Sequence, residues 1–370
     1  MKLRHKIIGV AALVIVVGLS ALALVLSHDA PCGAAPEGDR TAASMQAVVR
    51  RCYGAPEVVR LAYVTRPSLT DDAVLVKVRA AALNPLDWHM IRGDPYIMRA
   101  GLGIGAPKNI RLGDDFAGTV EAVGRSVTKF KPGDAVFGAT EGAFAEYVSV
   151  AANGAVTLKP DSLTFEQAAA VPVAGLTALQ ALRDHGKVQP GQKVLINGAA
   201  GGVGLLAVQI GKELGAEVTG VASSKSAALV SSMGAARVID YTREDYADGS
   251  RRYDVILDLV GNRSLSENRR ALLPTGIYIG IGGGTPSEGG LLGPVVGALK
   301  QLLLAPFVSQ KLVLFEAQLS QKDLESLSGL IAAGKLTPIL DRQFTFAHAA
   351  QAISYIEQGH AHGKVVITPD

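Results

Sequence analysis

Over its 370 residues the chain is 48% hydrophobic and 19% charged, which excludes disorder on the scale of the whole chain and calls for two domains with cores of their own. A net charge of +3, with no basic run interleaved with aromatics, excludes nucleic-acid binding as a first reading and leaves small-molecule chemistry. The two cysteines, Cys32 and Cys52, are too few for a disulfide framework or a C-x-x-C zinc lobe, so the reading leaves the fold to its cores.

The N-terminus departs from the rest. Ile7 to Leu26 reads IIGVAALVIVVGLSALALVL, 20 residues without a charge. As a helix this covers about 30 Å, the thickness of a bilayer's hydrocarbon layer, and the segment 7–26 reads as a transmembrane helix. Lys2, Arg4 and Lys6 precede it and Asp29 follows, which by the positive-inside rule puts the folded part outside the cytosol. A cleaved signal peptide is the alternative, although its apolar region usually runs to about 7–15 residues. Residues 27–44, rich in Ala, Gly, Pro and Asp, read as a flexible linker.

From Met45 the pattern changes to short β-branched runs, QAVVRR, AVLVKVRAAAL, GTVEAVG and DAVFGA, broken by turns such as KPGD at Lys131 to Asp134. After about Phe165 strand-like and helix-like runs alternate: KVLIN, GVGLLAVQIGKELGA, EVTGVAS, SAALVSSMGA, RVIDY, YDVILDLVG, SLSENRRALL and GIYIGIGG. Alternation of this kind predicts a doubly wound parallel sheet, so the fold class is α/β. The domain reading is 45–168 for a mostly β domain, 169–310 for the doubly wound domain, and 311–370, ending in the β-like GKVVITP, returning to the first.

KVLINGAAGGVG, Lys193 to Gly204, joins a buried strand to a helix whose Leu206, Ile210 and Leu214 recur at helical spacing before a stop at Gly215. The glycine pattern is A-x-G-x-x-G, with Ala199 in the first place, tolerable if its φ is negative. Unpaired amides at a helix N-terminus favour an anion such as a pyrophosphate, provided no side chain blocks it. Ala199, Ala200, Gly201, Gly202, Val203 and Gly204 are therefore the candidate phosphate cradle; the bland alternative is a tight turn without a ligand. Some 20 residues on, where a carboxylate would bond the ribose of NAD, the chain has Ser223, Ser224 and Lys225, a set suited to a 2′-phosphate; NADPH is the expected cofactor. Lys225 alone reads equally as a solvated lysine at a helix start.

These residues resemble the medium-chain dehydrogenases/reductases, and within them the zinc-independent quinone oxidoreductase branch. The similarity runs from MQAVVRRCYGAPEVVRL at Met45 to the end, through ALNPLDWHMIRGD, LGDDFAGTVEAVG, FKPGDAVFG, AAAVPVAGLTALQAL, NGAAGGVG and RVIDY. The resemblance implies a GroES-like catalytic domain, a Rossmann NADP-binding domain, and hydride transfer in the cleft between them. Zinc-bearing members hold the metal with a cysteine, a histidine and a cysteine; here Asn84, Asp114 and Val173 take those places, so the expected metal is none. Without a Lewis acid, an activated acceptor, a quinone or an α,β-unsaturated carbonyl, is the expected substrate.

The resemblance brings Asn84, Asp87 and His89 to the cleft as candidate catalytic residues. Each has a structural alternative. Asn84, Pro85 and Asp87 also spell a helix start with a capping box, and His89, where relatives often carry a tyrosine, also reads as a part-buried histidine. By similarity Tyr241 lies against the adenosine phosphate, Val260 and Gly261 beside the nicotinamide with Gly280 to Gly284 close by, and Lys364 near the cofactor, although His362 replaces an arginine common in relatives. The insertion TPSEGGLLGPVVGALKQLLLAPF leaves a cleft cover, a homodimer contact and a membrane contact open.

The leading reading is an NADPH-dependent oxidoreductase of quinones or enones held at a membrane, with no nucleic-acid partner. The alternatives are an NADPH-binding protein without turnover and a zinc-free alcohol or enoyl-thioester reductase. The charge flank sends the domain away from the cytosolic NADPH pool, so either that rule fails here or Met45 is the working start and the domain is cytoplasmic.

Overall fold

The computed structural model describes residues 17–18, 20–33, 41, 43–281, 290–291, 293, 301, 304, 306 and 308–370. The first domain opens with a two-stranded antiparallel ribbon, β1 (Ser44–Val49) and β2 (Arg60–Thr65). Its main sheet uses β3 (Ala73–Ala82), β4 (Asp115–Val123), β5 (Ala135–Ala139), β6 (Tyr147–Ala151) and β7 (Val156–Leu158). The burial of β3, with Lys77 and Arg79 turned outward between buried neighbours, follows the two-residue period of a strand with one face in the core.

The chain crosses into the second domain through helices Phe165–Ala169, opened by a Thr164–Gln167 capping box, and Pro172–Gln180. There follow β8 (Lys193–Asn197), β9 (Glu217–Ala222), β10 (Arg237–Asp240), β11 (Tyr253–Asp258), β12 (Leu272–Gly280) and β13 (Lys311–Leu314). They form one parallel sheet in the order β10-β9-β8-β11-β12-β13. The order reverses between β8 and β11, so the crevice at their carboxyl ends is where a doubly wound sheet takes a ligand.

β13 corrects the domain reading: Lys311 to Leu314 pair with β12, so the doubly wound domain runs past residue 310 before the chain returns. The return is made by β14 (Leu340–Thr345) and β15 (Lys364–Thr368), which extend the first domain's sheet through β15 and β3. One apolar cluster runs through both domains, from Ala80, Ala117 and Phe137 to Val194, Ile196 and Leu257, so the two sheets share a core.

The N-terminal segment departs from its reading as a free tether. Cys32 and Cys52 are joined in a disulfide with Cα atoms 5.0 Å apart, where composition suggested no bridge. Leu26 is buried, and the buried Arg99 donates to the carbonyl of Leu26 at 3.0 Å and the carboxylate of Asp29 at 2.8 Å while lying between the rings of Tyr53 and Tyr96. Ala30 adds a backbone bond to Gly105 at 2.9 Å. Two cysteines far apart in character but 20 residues apart in sequence close a short loop, and a buried guanidinium organises the chain that passes over it. Of the expected span 7–26, residues 7–16 and 19 lie outside the described residues, and among the described residues no helix is long and apolar enough to cross a membrane. Most of the insertion at 286–310 and Gly282 to Gly284 also lie outside them.

Candidate active site

The phosphate loop is made by a change of backbone at the end of β8. Gly198 takes φ +86°, so the left-handed residue precedes the A-x-G-x-x-G run and Ala199, fully buried, needs no positive φ. The helix Gly202–Glu213 starts at once, with Gly201 as its N-cap. Gly204 is demanded by contact and not by dihedral: a Cβ there would sit 2.2 Å from the Gly198 carbonyl oxygen. At Gly201 a Cβ would meet only the Gly198 oxygen at 3.6 Å, so the loop is open where a ligand would approach. Ala200, Gly202 and Val203 are part-exposed beside it. The first intrahelical bond runs from Leu205 N–H to Gly201 O, which leaves the preceding amides and the helix dipole facing that space.

The opposite wall of the crevice is the turn after β11. Asp258, 1% exposed, accepts from Asn197 Nδ2 at 2.8 Å and from the amides of Val260 and Gly261 at 3.1 and 2.9 Å. Its other oxygen accepts from Tyr278 Oη at 2.8 Å. This carboxylate pins Val260 beside the phosphate loop, close enough that a Cβ on Gly198 would lie 2.8 Å from Val260 Cγ2.

At the end of β9, Ser223, Ser224 and Lys225 form a turn, with Ser224 and Lys225 exposed. Sequence spacing missed an acid here: Asp240, at the end of the neighbouring β10, accepts from Ser224 Oγ and from Thr242 N and Oγ1. These bonds, Ser224 first, hold its carboxyl below the usual range. Arg243 at 3.6 Å from that carboxylate and the half-exposed Tyr241 complete the patch. Ser226 Oγ lies 2.8 Å from His362 Nδ1, which ties the turn to the C-terminal segment.

Between the domains lies a buried polar network assembled from four places in the chain. Lys364 Nζ donates to Asn84 Oδ1 at 2.8 Å and to Asp115 Oδ2 at 2.9 Å, with the lysine 5% and Asp115 0% exposed. Asn84 Nδ2 donates to Asp115 Oδ2 at 3.0 Å, and the amide of Val173 donates to Asp115 Oδ1 at 2.8 Å. Gly363 N–H bonds Ala200 O at 3.0 Å, and the Lys364 stem lies against Gly202, so the network is built onto the phosphate loop. Asp87, in the helix Pro85–Arg92, accepts the Asn84 amide at 2.7 Å. The expected capping box is present, and the Asn84 side chain also reaches Lys364 and Asp115.

Burial, and then the charge of Asp114, push the Asp87 carboxyl up to about 8; burial, then Asp115 and Glu141, push Asp114 up to about 6. Lys364 opposes both shifts. His89 stands apart from this network: its Nδ1 lies 2.9 Å from the Asp94 carbonyl, its ring stacks on Trp88 at 3.5 Å, and burial pulls its pKa down. A charged surface depression of about 260 Å³ lined by Arg237, Arg243, Arg251 and Tyr253 shares Arg243 with the patch around Asp240.

Residues 70–161 match the alcohol dehydrogenase GroES-like domain family and residues 233–367 the zinc-binding dehydrogenase family. The chain is 34% identical over 351 residues to the NAD(P)H oxidoreductase RTN4IP1, mitochondrial, of Mus musculus, covering 85% of this chain and 87% of that protein. It is 33% identical over 332 residues to the 2-methylene-furan-3-one reductase of Solanum lycopersicum, covering 86% and 77%. The chain belongs to the medium-chain dehydrogenase/reductase superfamily, in its quinone oxidoreductase-like branch.

Among solved structures, the quinone oxidoreductase from Coxiella burnetii superposes with a TM-score of 0.76 at 31% identity, covering 88% of this chain and all of that one. The Escherichia coli quinone oxidoreductase complexed with NADPH superposes with a TM-score of 0.75 at 25% identity over 88% and 100%. Some members of this superfamily carry zinc, and the residues at that place do not fit it. Asn84 is bonded to an ammonium, Val173 offers only its amide, and Asp114 alone supplies neither nitrogen nor sulfur, whereas zinc sites are tetrahedral with such donors.

Proposed function

We propose that this chain is an NADPH-dependent oxidoreductase that reduces quinones or α,β-unsaturated carbonyls without zinc. The observation that carries the reading is the glycine loop abutting, through Gly363 and Lys364, a polar network at the domain boundary. The residues present fit the dinucleotide: a cradle open at Gly201 before the helix N-terminus, a turn of hydroxyls and a lysine at Ser223 to Lys225, and a pinned wall at Val260 and Gly261. Tyr241 and Arg243 flank the 2′-phosphate side. When bound, the cofactor supplies a hydride to an acceptor already activated by conjugation.

The chain's own residues have three tasks. The amides around Gly202 fix the pyrophosphate, Val260 and Gly261 limit where the nicotinamide can lie, and the shared core excludes water from one side of the crevice. Lys364, held by Asn84 and Asp115, places a positive charge where anionic character develops on the reduced acceptor. Asn84 thus acts as a positioning residue, and Asp87 braces the helix that carries it. Stopped-flow loss of NADPH absorbance against a panel of quinones and enones tests the reading; no oxidation by any of them refutes it.

The same proposal includes a membrane anchor at 7–26, with the side of the catalytic domain left to experiment. The basic flank and the Cys32–Cys52 bond, of a kind that persists in oxidising compartments, favour the outer side, whereas the need for NADPH favours the cytosolic one. A start at Met45 would strip Cys32 and leave the buried Arg99 without Leu26 and Asp29. Protease added to sealed vesicles of known orientation, followed by gels with and without reductant, tests the side and the bond together; sedimentation velocity tests for a homodimer.

A further inference from the structure

Hydride addition to an enone or quinone leaves an oxyanion that needs a proton, and none of the groups assigned above supplies one at the crevice. Asn84 and Asp115 are committed to Lys364, Asp87 is 2% exposed, and His89 faces Asp94. Asp114 is placed differently. It immediately precedes β4, next to Asp115, yet is part-exposed where its neighbours in the network are closed off from solvent. Its backbone is fixed by Thr140 N–H to Asp114 O at 2.8 Å, so the carboxyl is carried on a rigid strand end. Among the described residues its side-chain oxygens accept no hydrogen bond, in contrast to Asp87 and Asp115. The charged groups that act on it are Asp115 on its own strand, Glu141 after β5, Glu316 after β13 and Lys364 on β15, while Asp87 on the helix Pro85–Arg92 stays protonated to about 8 and is itself raised by the charge of Asp114. The adjacent Asp115 bonds the Val173 amide and Lys364, whose strand abuts the glycine loop through Gly363, so Asp114 is carried at the domain boundary.

We propose that Asp114 is the catalytic proton donor, giving its carboxylic proton to the oxyanion that hydride addition leaves on the enone or quinone. The inference rests on the reductase reading above. In the step, the reduced nicotinamide is oxidised as its hydride forms a C–H bond at the enone's β-carbon, or adds to the quinone, and the acceptor is reduced. The O–H bond of Asp114 then breaks, the acceptor oxygen gains the proton, and Asp114 is left as a carboxylate. Lys364 stabilises that carboxylate until water returns the proton. Burial first, then the charges of Asp115, Glu141 and Glu316 against the opposing ammonium of Lys364, keep this acid protonated to a higher pH than an isolated aspartate, which suits it to donate near neutrality.

The sign follows from the raised pKa: the acid is present below about 6 and is lost as pH rises through it, so the rate of turnover declines above that point. Single-turnover oxidation of bound NADPH by methyl vinyl ketone, followed from pH 5 to 9 in H₂O and D₂O, tests the assignment alongside fluorescence titration of NADPH. Asp114→Asn is expected to lose about 100-fold or more in rate, together with the pH inflection, at an NADPH affinity within about twofold of wild type. Asp114→Glu keeps an acid at a different reach and is expected to retain a pH-dependent rate with a displaced inflection; it also covers the case in which the asparagine variant does not fold. Wild-type rate and profile in Asp114→Asn, or an undisplaced inflection in Asp114→Glu, overturns the assignment. A wild-type protein that oxidises no quinone or enone would instead sink the reductase reading itself.

Discussion

Replacing Lys364 by methionine isolates the central electrostatic claim. Methionine keeps much of the stem that lies against Gly202 and deletes only the ammonium. Asp115, 0% exposed, would retain two donors, Asn84 Nδ2 and the Val173 amide, but no counter-charge. Removing one partner of a buried ion pair costs about 3–5 kcal/mol, because the remaining charge is left without water or a partner. For a unit of this size that corresponds to a fall in Tm of roughly 6–20 °C. Lys364 also pulls the Asp87 and Asp114 carboxyls down, so its loss moves the pH inflection of turnover upward. Guanidinium melts of the wild type, Lys364→Met, Asp115→Asn and the double variant form a cycle. A coupling energy at the upper end of about 0.5–3 kcal/mol is expected. A Lys364→Met protein within 1 kcal/mol of wild type, or an additive cycle, refutes the reasoning; ~1 kcal/mol is the worth of an exposed pair.

Two further outcomes follow from contacts already described. Gly204→Ala puts a Cβ onto the Gly198 carbonyl at 2.2 Å, a backbone atom that cannot turn aside, so the helix must shift away from the loop. NADPH affinity is expected to fall more than tenfold by fluorescence titration, and an unchanged affinity would remove the close-packing argument. Cys32→Ser opens a loop of 20 residues and should cost about 3 kcal/mol, and the wild type treated with reductant should unfold at the same denaturant concentration as the variant. Identical unfolding of all three samples, with and without reductant, would show that the bridge contributes nothing.

The strand, the glycine turn and the helix of the phosphate loop are contiguous in sequence, from Lys193 to Glu213, so apolar period and glycine placement were enough to recover them. The alternation that followed gave the parallel sheet. Where the reading failed, the decisive contact joined residues that local pattern does not connect. Asp240 reaches Ser224 only because β10 lies beside β9, and β13 belongs to the second domain only because it pairs with β12. Asn84 and Asp87 read as a cap and form one, yet the sequence did not show that the Asn84 side chain also bonds a lysine 280 residues away.

By itself, then, the order of residues determined most of the strands and helices, the α/β class and the strand, glycine turn and helix proposed to seat a pyrophosphate, because these depend on backbone propensities and side-chain periods within a few turns. Only the tertiary structure decided the Cys32–Cys52 bridge, the docking of Leu26 and Asp29 on Arg99, and the grouping of Asp87, Asp114 and Asp115 around Lys364. Charge interaction and desolvation depend on separation in space and on burial, and folding sets both.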